Sequence, residues 1–137
     1  MIHEEICTYE VCKLAKEKGF PQDPDKNDHS QMYCWDGLRN IHSLGVFAVW
    51  YMEEYNHENL YAAPTQSLLQ RWLREKKNIV FGISPMQEMD CDYLGWCATI
   101  YKVDDDGYGL SWQEELYYDT YELALEDALK YALENLI

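Results

Sequence analysis

Positive charge is what this chain has least of: its 137 residues carry 11 Lys and Arg against 25 Asp and Glu, a formal net charge of −14 with histidine neutral. The deficit is uneven. Residues 1–77 hold nine basic against twelve acidic side chains, net −3, whereas residues 78–137 hold only Lys102 and Lys130 against thirteen acids, net −11. A field of that sign repels nucleic-acid phosphates and anionic headgroups, so direct binding of DNA, RNA or a membrane surface is not expected. Long apolar runs are missing too. No stretch approaches the roughly 20 residues that cross a bilayer. Met1-Ile2-His3-Glu4-Glu5 offers neither the basic start nor the apolar core of an export signal, and a cytoplasmic location is expected.

Paired cysteines are also lacking. Cys7, Cys12, Cys34, Cys91 and Cys97 are an odd set with no CxxC, which argues against a disulfide framework and for small buried apolar groups. A zinc site would need Cys91 and Cys97 to converge with His29, His42 or Cys34, and the Cys91 to Cys97 spacing is too long for the usual ligand loop. Nothing resembles a phosphate-cradling loop, a nucleophile elbow or a Ser/His/Asp set, and no cofactor or metal is expected.

Core-forming material is abundant. With 47% hydrophobic residues and 15% aromatic, the length fits one domain spanning residues 1–137 with a single core. Ala63 to Asn78 reads as a central amphipathic helix. Thr65 caps it after Pro64, Leu68, Leu69, Trp72 and Leu73 share one arc, Lys76 and Lys77 suit its negative end, and Asn78 tolerates the left-handed stop. An opening helix starts at Thr8, carries Val11, Cys12, Leu14 and Ala15 on one stripe, and ends at Gly19 with Phe20 packing back. Gln31 to Trp35 reads as a strand ended by Asp36-Gly37. Leu44 to Met52 fits strand or helix, with Val and aromatics favouring strand.

Ile79 to Ile83 reads as a strand ended by Ser84-Pro85. Leu94 to Val103 alternates, with Leu94, Trp96, Ala98 and Ile100 on one side and Cys97, Thr99, Tyr101 and Val103 on the other. Asp104-Asp105-Asp106-Gly107 turns the chain, its Asp-Gly supplying the positive φ angles of a tight hairpin, and Tyr108, Leu110, Trp112, Leu116 and Tyr118 form the partner strand. Asp119 with Glu122 makes a capping box for a last helix that shares Tyr121, Leu125, Ala128, Leu129, Ala132 and Leu136 on one face. The expected fold class is α+β: a mainly antiparallel sheet packed on one face by about three helices.

Pro64-Thr65-Gln66-Ser67-Leu68-Leu69-Gln70-Arg71-Trp72-Leu73-Arg74-Glu75, with Asn78-Ile79 and later Tyr121-Glu122-Leu123-Ala124-Leu125-Glu126, resembles a family of uncharacterised small proteins of anaerobic gut bacteria and their phages or mobile elements. The likeness covers most of the chain apart from residues 29–60. It implies a genomic setting, and no activity, ligand or catalytic residue.

Several groupings invite chemistry. Asp104, Asp105 and Asp106 suggest a calcium loop, but Lys102 and Val103 stand where ligands should begin, and a hairpin tip is the better reading. Glu53 and Glu54 with His57 and Glu58 form a carboxylate and imidazole cluster without the HExxH order of a hydrolytic metal site. Glu114 interrupts the apolar side of its strand, where burial would raise its pKa as a general acid requires. A small hydrolase or metal-dependent enzyme built on Glu53, Glu54, His57 and Glu114 is therefore the alternative expectation.

The leading expectation is a non-enzymatic accessory protein of a phage or mobile element that works by protein contact. Asp104, Asp105, Asp106, Glu122 and Glu126 would meet a basic partner. Arg71 and Arg74, with Lys76 and Lys77, would meet an acidic one or a second copy of this chain, giving a homo-oligomer. Twelve Tyr and five Trp supply interface material.

Overall fold

The computed structural model describes residues 4–22, 33–43, 60–87, 94–113 and 118–137. The chain is α+β with antiparallel sheets, as its patterning predicts. Among the described residues the helices are α1 (Tyr9–Glu17), α2 (Gln66–Lys77) and α3 (Tyr121–Asn135). The strands are β1 (Tyr33–Trp35), β2 (Ile41–Ser43), β3 (Tyr61–Ala62), β4 (Ile79–Gln87), β5 (Leu94–Asp104) and β6 (Gly107–Gln113). They divide between two three-stranded sheets, ordered β2-β1-β3 and β4-β5-β6, rather than joining one. Two compact units result, residues 1–68 and 69–137. Among the described residues no helix is long and apolar enough to cross a membrane.

In the first unit Thr8 caps α1 by accepting from the Val11 amide at 3.4 Å. Gly19, at φ 96°, ends it, and the bonds from Phe20 N to Ala15 O and from Gly19 N to Lys16 O close a Schellman motif. That turn drives Phe20 back into the core with Val11, Cys12 and Ala15. Tyr9 stands edge-on to Tyr61 at 5.4 Å and to Trp35 at 6.4 Å, which seats the helix on β1 and β3. The segment before α1 is pinned to the entry of α2: Cys7 N donates to Pro64 O, Gln66 N donates to Glu5 O, and Ile6 bridges Thr65.

The Asp36-Gly37 turn does more than end β1; it folds the chain back into β2, a strand too short and polar to announce itself. Its positive φ falls on Arg39, at 64°, and not on the glycine. Asp36 Oδ1 accepts from the Leu38 and Asn40 amides, and Arg39 reaches back over the Tyr9 ring to Glu10. Local side-chain bonds have set this turn against the usual glycine preference. The expected strand or helix over Leu44 to Met52 lies outside the described residues.

The helix α2 begins in the first unit, runs on into the second and forms as expected. Thr65 Oγ1 accepts from the Leu68 amide at 3.2 Å, and Asn78 takes the left-handed stop at φ 58°. Leu69 and Leu73, one turn apart, are wholly buried, whereas Leu68 and Trp72 are half-buried and Lys77 lies over the Trp72 ring at 5.5 Å. The helix α3 lies over β4 and β5. Ala124, Ala128 and Ala132 recur every fourth residue on its buried face, and such small side chains let a helix approach a sheet closely. Its cap is Thr120, whose hydroxyl accepts from the Leu123 amide at 3.1 Å, one residue later than the Asp119 and Glu122 box expected from sequence. The bridge between Tyr118 and Trp96 leaves Asp119 in the connecting bend.

Two strand expectations need correcting. Pro85 does not end β4, which runs on to Gln87. Trp96 exchanges both backbone bonds with Tyr118, at 2.8 Å each, so on its other side it faces Pro85 as a non-hydrogen-bonded pair. The proline nitrogen therefore points off the sheet edge, where no N–H is needed. On β6 the expected alternation of Leu110 and Trp112 breaks, because Tyr101 pairs with Leu110 and Ile100 with Trp112, leaving Ser111 as the extra residue of a bulge.

Candidate functional site

The four residues weighed as catalytic, Glu53, Glu54, His57 and Glu114, all lie outside the described residues, as do His29 and Cys91 of the zinc reading. Among the described residues no group of three or more His, Cys, Asp and Glu is placed to hold a metal ion. Cys7, Cys12, Cys34 and Cys97 are buried free thiols. Burial first and the Asp36 carboxylate second push the Cys34 thiol up to about 11, which makes it a poor nucleophile at neutral pH. Tyr61 is likewise raised, by burial and then by its hydrogen bond with Tyr9.

The charged residues expected to form contact surfaces all belong to the second unit. Asp104, Asp105 and Asp106 are exposed at the β5–β6 tip. Asp104 spends one carboxylate oxygen on the Asp106 amide at 2.9 Å, and positive φ within the tip falls on Gly107 alone, at 111°. The trio is built as a turn. Glu122 is exposed in the first turn of α3 and Glu126 is half-buried one turn on. Arg71 and Arg74 are exposed on α2. Arg71 Nε donates to Glu75 Oε1 at 2.9 Å, and that bond holds the Glu75 carboxyl below its usual range. An exposed pair of this kind contributes little to stability, but it turns part of the basic patch inward on its own helix.

What periodicity does not reveal is an aromatic row where α3 begins. Pro85, Trp96 and Tyr118 stand opposite one another across the sheet, one pairing register deep. Directly opposed residues project on the same face with Cβ atoms roughly 5 Å apart. Tyr121, set by the Thr120 cap, meets Trp96 edge-on at 5.6 Å. The Tyr118 hydroxyl donates to the Asp127 carboxylate of α3, which fixes that ring against the helix. Pro85 is exposed, Trp96 and Tyr118 are half-buried, and Tyr121 keeps 39% of its surface open. Asp119 and Glu122, next in sequence to Tyr118 and Tyr121, are exposed. The row sets apolar ring faces beside exposed carboxylates. Reading Pro85 as a strand terminus hid it; the repeated tyrosines of Tyr118-Asp119-Thr120-Tyr121 at a helix entry were the available signal. Compared with family models, with curated proteins and with solved structures, the chain matches none.

Proposed function

We propose that this protein is a non-enzymatic accessory module that acts by binding a basic protein partner through the acidic surface of residues 78–137. The observation that carries the reading is the pairing of a net −11 over those residues with the exposure of Asp104, Asp105, Asp106 and Glu122. Exposed charge of one sign accelerates encounter with an opposite partner and rejects like-charged ones. The resemblance carried by residues 64–75, 78–79 and 121–126 supports a phage or mobile-element setting.

The test is capture of host proteins at low and high salt by the native chain and by a variant with Asp104, Asp105 and Asp106 changed to Asn and Glu122 and Glu126 to Gln. A partner retained by the native chain at low salt and lost by the variant supports the reading. Equal capture by both, or none by either, overturns it. Light scattering on the same samples reports self-association through Arg71 and Arg74 as a separate outcome.

A further inference from the structure

We infer that the row Pro85, Trp96, Tyr118 and Tyr121 is a docking platform for an extended, proline-containing peptide segment that carries Lys or Arg. The inference rests on the reading of an acidic protein-binding module and names the segment that such a module grips. Three observations carry it. The platform is made of ring side chains placed by contacts present before any ligand arrives: Trp96 by its edge-on contact with Tyr121, Tyr118 by its bond to Asp127, Tyr121 by the capped start of α3. Rigid rings lose little conformational freedom on binding, which is why Tyr and Trp dominate contact hot spots.

The surface is also open at the ring that stands outermost. Tyr121 is 39% exposed although its position on the helix belongs to the buried stripe, and it meets Trp96, itself opposite the exposed Pro85, edge-on at the start of α3. Proline rings in an extended left-handed helix stack on such aromatic ridges, and the segment needs no ordering of its own because its φ is already fixed.

Charge then selects the occupant. Asp119 and Glu122 flank the rings on the chain, both exposed, within a half of the molecule that carries −11. A neutral or acidic peptide gains nothing from them, whereas a Lys or Arg gains a carboxylate and the face of an aromatic ring together. A nucleic-acid strand, which also stacks on aromatics, is repelled by the same field.

The experiment titrates the intact protein with three synthetic peptides of equal length, followed by calorimetry: one alternating Pro and Arg, one with Glu in place of Arg, and one with Gly in place of Pro. The expected result is saturable binding of the first, weakened by high salt, no binding of the second, and at least several-fold weaker binding of the third. Tyr121→Ala weakens the first peptide by about tenfold or more, as loss of a central ring does. Glu122→Gln, a change at an exposed site, weakens it several-fold with the circular dichroism unchanged. Leu38→Ser, on the β1–β2 tip, leaves it as it was. Failure of the first peptide to bind, equal binding of the first and third, or indifference to both Tyr121→Ala and Glu122→Gln overturns the inference. If the peptides fail while partner capture still depends on the acidic residues, the docking platform falls and the acidic-surface reading stands.

Discussion

Adding one methyl group at Gly82 tests the sheet of the second unit where β4 and β5 approach closely. A Cβ there would lie 2.7 Å from Thr99 Oγ1 on the neighbouring strand. The same hydroxyl donates to the Gly82 carbonyl at 3.3 Å. Thr99 has two responses. It can hold its rotamer and push the strands apart, an overpacking that costs about 1–3 kcal/mol. Or it can turn about χ1, which β-branching resists, and give up a hydrogen bond worth about 0.5–1.5 kcal/mol. Replacing glycine inside a strand returns about 0.5–1 kcal/mol of backbone entropy. The balance is a net loss of about 1 kcal/mol for Gly82→Ala. Thr99→Ala removes the obstructing oxygen, so the double variant should be more stable than the sum of the single losses allows, by a coupling of about 1 kcal/mol. Urea unfolding of all four proteins, followed by circular dichroism with the slopes held comparable, measures both quantities. A Gly82→Ala protein as stable as the native chain, or strictly additive losses, would refute the packing described for β4 and β5.

Other expectations follow from single contacts. Leu73→Ala, at a wholly buried site, should cost about 2–5 kcal/mol and Leu68→Ala, half-buried on the same helix, clearly less; equal melting shifts would mean that the buried arc of α2 is misassigned. Thr120→Ala should lose about 1 kcal/mol and Asp119→Ala less, since the hydroxyl and not the carboxylate receives the Leu123 amide; the reverse order in thermal melts would restore the sequence-based cap. Cys34 holds its proton up to about 11 in the native chain against an ordinary 9.0. Between those values the unfolded chain has released a proton that the folded one keeps, so stability falls as pH rises through the window and is fully present below it. Cys34→Ala should flatten that alkaline decline, and unchanged pH curves for the two proteins would contradict the burial of the thiol.

The helices were legible because each carries its signal within a dozen or so residues: a polar residue at its entry, a 3.6-residue apolar rhythm and, for α1 and α2, a left-handed stop at Gly19 or Asn78. The β5–β6 hairpin was legible for the same reason. What sequence hid depends on neighbours far along the chain. β2 and β3 are two or three residues each and exist by pairing with β1, not by their own propensity. Pro85 reads as a terminator unless it is known that its nitrogen faces an open edge, and Ser111 reads as one more alternating residue unless the partner's register is known. The expected acidic and basic surfaces could be named from composition, and most of them are exposed. The aromatic row could not, because Pro85, Trp96 and Tyr118 become adjacent only once three separate stretches are aligned.

Pro85 has one more effect, on how copies of the chain meet. A long strand at the margin of a sheet ordinarily offers an uninterrupted line of amide hydrogens, along which identical chains add one after another into fibrils. In β4 that line is cut where the imino nitrogen faces outward, close to the end of the strand that carries exposed Met86. The ring that faces Trp96 across the ladder thus also interrupts the line along which a second copy of β4 would pair, an obstacle to self-stacking in a chain rich in tyrosine and tryptophan.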